Sequence, residues 1–289
     1  MSFLLPKLHR WLGTLVLLQL LGLHPGVGRA EKAATLPSAT NVVQRMIERA
    51  QAVASAEHAP RYTYQSRSLL EQLKGNGKVI GSREKLYRVD LVAGYPIPYL
   101  TQIKGVELSE EELERERQEE AAYWGKFTSL NMEELAARKE PWLTSNLLAR
   151  YEFEVVERIT LSNRATLVLT FRPKPGKLSV ESIHDRLLNQ LQGKVWLDEQ
   201  DADVAKVSIG LVDTISMGWF GLLGSLSKCE CTIERIRLPG GVWAISRETY
   251  EMQLRKLAST KRFRMTQVSS GYKRALLKPV PIAGSVATD

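Results

Sequence analysis

Asp198, Glu199, Asp201 and Asp203 stand within six residues, between the apolar runs "GKVWL" and "VAKVSIG". Four carboxyls this close can hold a divalent cation or share a proton. A calcium loop of the helix–loop–helix kind needs oxygen ligands at alternate positions, a glycine at the sixth and a glutamate at the twelfth. Counted from Asp198, the sixth position is Asp203 and the twelfth is Ile209, so the spacing fails twice. Aspartate favours turns and is depleted from strand interiors. The expectation is a solvated turn between two strands, with no metal and no cofactor.

Other reactive groupings are equally sparse. Cys229 and Cys231 are the only cysteines. On an extended strand residues i and i+2 lie about 7 Å apart, at the limit for a disulfide, so they read as two small apolar residues on one face. His184 sits beside Asp185 on an expected helix, where consecutive side chains point in different directions and form no base–orienter pair. The sequence contains no GxSxG motif. These residues point to a protein that binds and does not catalyse.

The segment that stands apart is "ISMGWFGLLGSL" (215–226), uncharged, rich in large apolar side chains and carrying three glycines. It reads either as a core plug or as an adaptable lip touching an acyl chain, since exposed apolar patches mark binding surfaces. A cavity of that kind would be lined by Phe153, Leu169, Phe171, Trp196, Met217, Trp219, Phe220, Leu222 and Leu223.

The elements that must position these residues follow from periodicity. Residues 1–30 carry Lys7 and Arg10, an apolar run from Trp11 to Leu23, and small residues at Gly28 and Ala30. Those are the three parts of a secretory signal peptide, and the run is shorter than the roughly 20 residues of a membrane span. The expectation is export, cleavage near Ala30 and a soluble periplasmic chain starting at Glu31. The full chain has a net charge of +8; without Lys7, Arg10 and Arg29, 37 bases face 32 acids, a net +5. The bases are scattered along the sequence, unlike a nucleic-acid footprint.

Residues 31–40 form a loose leader, 41–278 a single domain, and 279–289 a disordered tail. Val42, Val43, Met46, Ile47, Ala50, Val53 and Ala54 recur at helical spacing from Asn41. Strands are expected over 61–73, after "KGNGK", and over 95–103, with Pro96 and Pro98 confined to an edge. Ser109 with Glu112, and Asn131 with Glu134, fit capping boxes of two helices; a third runs from Pro141. In "RYEFEVVERITLSNRATLVLTFRP" apolar and polar residues alternate on both sides of Ser162–Asn163, a long hairpin with one dry face. A helix follows near Ser179. From Gly193 onward the chain reads as strands, about nine in all, which is an α+β class.

"GKVWLDEQDADVAKVSIG", with Trp196, Leu197, Asp198, Lys206 and Val207, resembles the central hairpin of the outer-membrane lipoprotein carrier and sorting family (LolA/LolB-like). "GGVWAISRETYEM" resembles a later strand of that family. The resemblance implies a strongly curved antiparallel sheet, an incomplete β-barrel, with helices over its open, concave side and an apolar cavity within. It implies a partner that is an acylated lipoprotein or lipid, with no cofactor. A sibling use of the fold, sensing envelope stress through an envelope membrane protein, is the alternative. The acidic helix after Leu108 and the apolar lip depart from the family pattern.

Overall fold

Ser38 starts the first helix: its hydroxyl accepts from the Asn41 amide at 3.3 Å, and its carbonyl from the Val42 amide. In the computed structural model, which describes residues 36–55, 62–92, 95–112, 114–115, 118, 148–176, 183–217, 224–256 and 259–275, helix α1 runs Ala39–Ser55. Its Val42, Met46 and Ile47 are buried, each burial contributing about 1.5–3 kcal/mol. Val53, expected on the same face, is exposed on the last turn.

Among the described residues twelve strands follow in chain order. They are β1 (Tyr62–Leu73), β2 (Val79–Val92), β3 (Tyr95–Ile103), β4 (Val106–Glu107), β5 (Tyr151–Leu161) and β6 (Arg164–Pro173). A short helix α2 (Ile183–Leu188) precedes β7 (Leu191–Asp198), β8 (Val204–Leu211), β9 (Ile215–Met217), β10 (Gly224–Arg237), β11 (Trp243–Lys256) and β12 (Ser259–Arg274). The sequence predicts about nine strands; β4 and β9, three residues or fewer, are too short to show a period. Pro96 and Pro98 lie opposite Leu91 and Val89 of β2, in the part of β3 that β4 does not reach, which is the expected edge.

Local chemistry sets the turns. Ser162 and Asn163 both take positive φ, the conformation that matches a two-residue hairpin to strand twist. Leu161 then pairs with Arg164, and the alternation seen in the sequence becomes the β5–β6 ladder. Gly77 closes the β1–β2 turn, donating to the Lys74 carbonyl at 2.9 Å with φ of 84°. The predicted capping box exists: Ser109 and Glu112 exchange hydrogen bonds at 3.1 and 3.3 Å. The helices predicted around Asn131 and from Pro141 lie outside the described residues.

All described pairings are antiparallel, in an eight-stranded ladder ordered β4-β3-β2-β1-β12-β11-β10-β9 and a four-stranded ladder β5-β6-β7-β8. Strand β8 runs alongside β10, where the Thr232 hydroxyl donates to Ser208 Oγ at 3.5 Å. The twelve strands therefore form one open surface, an incomplete half-barrel of the expected α+β class. Strand β1 joins the hairpin near the start of the chain to β12 near its end, so segments far apart in sequence meet in the middle of the eight-stranded ladder. No helix among the described residues is long and apolar enough to cross a membrane.

Helix α1 packs on one face, here the inner one. Val42, Met46 and Ile47 meet Leu167 and Leu169 of β6, Val195 and Leu197 of β7, Val207 and Ile209 of β8, and Ile233 of β10. Leu187 and Leu188 of α2 extend that core, and Tyr151 donates its hydroxyl to the Leu188 carbonyl at 2.7 Å.

Candidate functional site

The acidic turn is not solvated. Asp198 is 1% exposed and Asp203 is 8% exposed, and arginines from three other elements, α1, β6 and β10, converge on them. Arg164 of β6 forks onto Asp198, with Nη2 donating at 2.8 Å, and reaches Asp201 at 3.1 Å. Asp198 Oδ1 also accepts the amides of Gln200 and Asp201 at 3.1 and 2.7 Å. Arg49 of α1 donates to Asp203 at 3.0 Å, and Arg235 of β10 donates to the other oxygen of the same carboxylate. Arg237 and the Trp243 indole donate to Asp201 at 2.6 and 2.9 Å. Arg158 of β5 forks onto Glu199 at 2.7 and 2.9 Å, while Arg45 of α1 donates to the Glu199 carbonyl at 3.0 Å. The carboxylates are engaged in pinning α1, β5, β6 and β10 to one turn, and the expectation of a solvated turn is corrected.

The predicted lining residues separate. Phe153 and Phe171 face each other across β5 and β6, with ring centroids 6.1 Å apart, and Leu169 is fully buried beside them under α1. These three are core under the helices. Trp196 stands on the opposite face of β7 from Val195 and Leu197, because strand neighbours alternate. Its ring carries Lys206 Nζ at 4.7 Å, and burial lowers the pKa of that ammonium against the pull of Glu234. Trp196 therefore does not share a cavity with Leu169. Met217 ends β9, and Trp219, Phe220, Leu222 and Leu223 lie outside the described residues.

A different apolar surface emerges where the core under α1 stops. Register aligns Cys231, Tyr250, Met265 and Leu70 in one cross-strand row, and Cys229, Met252 and Phe263 in the next. Leu226 and Leu254 pair one rung further. Tyr250, Met252 and Met265 are buried, yet none of them belongs to the cluster built on α1. Methionine and cysteine are soft and conformationally adaptable, which suits a surface that must fit varied chains. Both cysteines are free; burial raises the Cys229 thiol to about 11 and pushes Cys231 up as well, so neither is a ready nucleophile.

This strip has a polar head. One row further from Met265, Ser68, Gln267 and Glu248 align, and Ser66 pairs with Ser269 beyond. Glu248 is 3% exposed, and the only hydrogen bond to its carboxyl among the described residues comes from Tyr250, at 3.0 Å. Burial raises its pKa, with the Tyr250 hydrogen bond opposing. Burial, together with the Glu248 charge, pushes the phenols of Tyr64 and Tyr250 up; Tyr64 reaches about 12. The Ser66 hydroxyl is buried without a hydrogen-bond partner among the described residues. A buried carboxyl, several hydroxyls and an apolar strip in one line can receive a molecule with a polar end and a greasy body.

The raised Glu248 value has a measurable consequence. The folded state favours the protonated acid, so the associated stability is full below the unfolded glutamate range, near about pH 4.3, and is lost as pH rises through the folded value. Glu248→Gln removes that dependence. Chemical denaturation across pH should show the variant gaining on the wild type above that range, by at most about 1.4 kcal/mol per pH unit.

No family model and no curated protein matches the chain. Solved structures that resemble it include a DUF1329 family protein from Desulfovibrio piger, at 10% identity over 86% of this chain and 96% of that one, TM-score 0.31. A putative outer membrane lipoprotein-sorting protein domain from Vibrio parahaemolyticus matches at 11% identity over 82% and 93%, TM-score 0.35. MucB, in its complex with the periplasmic part of MucA, matches at 10% identity over 81% and 94%, TM-score 0.24.

Proposed function

We propose that this chain is an exported, non-catalytic binding protein that holds one acyl chain, free or attached to a lipoprotein, on the inner face of its open sheet. The observation that carries the reading is the strip of Cys229, Tyr250, Met252, Phe263 and Met265, which continues beyond the core sealed by α1 and adjoins it at Cys231. The driving force is burial, about 0.8 kcal/mol for each methylene removed from water, less the cost of immobilising a flexible chain. Glu248 and Ser66 meet the polar end. No step requires a nucleophile, a metal or a cofactor.

The test is titration with a fluorescent fatty-acyl probe. Saturable binding is expected, weakened about tenfold by the double substitution Met252→Ser and Met265→Ser, which removes apolar contact without altering the ion-pair network. Equal affinity of the variant would contradict the reading. Absence of any acyl binding, with capture of a protein from envelope extract that survives delipidation, would favour a role as a sensor or scaffold.

A further inference from the structure

The sequence scatters its bases, but the fold gathers them at one end of the eight-stranded sheet. Strand β1 runs into the turn 74–78, and β12 begins opposite it, with Leu73 paired to Arg262. The β11–β12 connection therefore lies at the same end, and Arg262 Nη1 reaches the Gly75 carbonyl at 3.4 Å. No acid occurs between Glu71 and Glu84, and none between Glu251 and Asp289. Lys228, Arg262 and Arg264 are held by Glu251, whose carboxyl is pushed up by burial but brought down to about 2 by hydrogen bonds from those three cations. Lys74, Lys78, Arg255 and Lys261 are exposed, and among the described residues none of them pairs with a carboxylate. Between these cations Val79 and Ile80 are 42% and 50% exposed.

We infer that this end of the sheet is a docking surface for an anionic lipid bilayer. Unpaired bases at hairpin tips are drawn to acidic headgroups, and the adjacent aliphatic side chains enter the interface. A folded protein partner fits less well, because the cations sit on two narrow tips instead of a flat patch. Leu226 and Leu254, the last apolar pair of the strip, lie at the same end, so a chain held there would face the membrane. The inference does not depend on acyl binding.

Vesicle co-sedimentation tests it, using phosphatidylcholine alone and phosphatidylcholine with roughly one-third phosphatidylglycerol. Binding is expected only to the anionic vesicles and should fall as salt rises. The combined substitution Lys74→Glu, Lys78→Glu and Lys261→Glu should weaken it by about tenfold or more. Lys273→Glu, exposed at the far end of β12, should leave it within about twofold, and so calibrates nonspecific charge. Val79→Ser with Ile80→Ser should weaken binding while its salt dependence persists. Equal sedimentation with both vesicle types, no sedimentation, or equal damage from Lys273→Glu would overturn the inference. Titration of a soluble acyl probe, unchanged in the tip variants, keeps this result separate from the acyl-chain reading.

Discussion

Asp203→Ala is expected to lower the unfolding free energy by about 3–5 kcal/mol, the range for removing one partner of a buried ion pair. Asp203 receives Arg49 from α1 and Arg235 from β10, and Arg235 already has one buried nitrogen, Nε, without a partner among the described residues. Without the carboxylate the Arg235 guanidinium keeps only the Val204 and Trp243 carbonyls, at 3.2 and 2.8 Å, and its charge is uncompensated. The helix also loses its Arg49 contact with the turn, keeping that of Arg45 with the Glu199 carbonyl. Urea denaturation should show the midpoint falling with the slope conserved. The double variant Asp203→Ala with Arg235→Met should recover part of the loss, since the penalty comes chiefly from the orphaned cation. If the single variant is no weaker than wild type, the turn is a surface feature after all.

Gly193→Ala should be nearly as severe, costing about 2–4 kcal/mol, because a backbone must move to admit one methyl. A Cβ there would stand 1.9 Å from the Ser208 carbonyl oxygen and 3.0 Å from Phe171 Cε1. Gly193 pairs with Phe171 on one side and Ile209 on the other, so relief means spreading β7 from β8 in the middle of the core. Gly81→Ala is the matched control. Nothing lies within 4 Å of its Cβ position, and its change should stay within about 1 kcal/mol. Thermal melts of the two variants should separate widely; similar melting temperatures would refute the packing argument.

How far the sequence discloses this molecule depends on the range of the forces involved. The β5–β6 hairpin was legible because alternation and the Ser162–Asn163 turn are local and agree. Helix α1 was legible for the same reason, through the spacing of Val42, Met46 and Ile47. The burial of the acidic turn is not legible, because the preference of aspartate for turns says nothing about six arginines arriving from four other elements. Arg49 and Asp203 are 154 residues apart, and no local pattern links them. Strand alternation alone puts Trp196 opposite Val195, but only the seat of α1 decides which face is inner.

The strip on β10 to β12 was missed although part of its signal was present. Tyr250, Met252 and Leu254 alternate in "TYEMQL", as do Phe263 and Met265 in "KRFRM". Their grouping with Leu70 needed the β1–β12 ladder, which joins segments about 195 residues apart and has no sequence signature. The buried Glu248 was hidden likewise, since an acid in "SRETYEM" reads as solvent-facing until its cross-strand neighbours are known.

The central claim is that an acyl chain lies along the inner face of β10, β11 and β12. Photo-crosslinking with a diazirine-bearing fatty acid, followed by peptide mass spectrometry, tests it most directly. Label is expected on Cys229, Met252, Phe263 or Met265, and should be lost on competition with unlabelled fatty acid. Label confined to the outer face around Trp196, or to the exposed side of α1, would contradict the account.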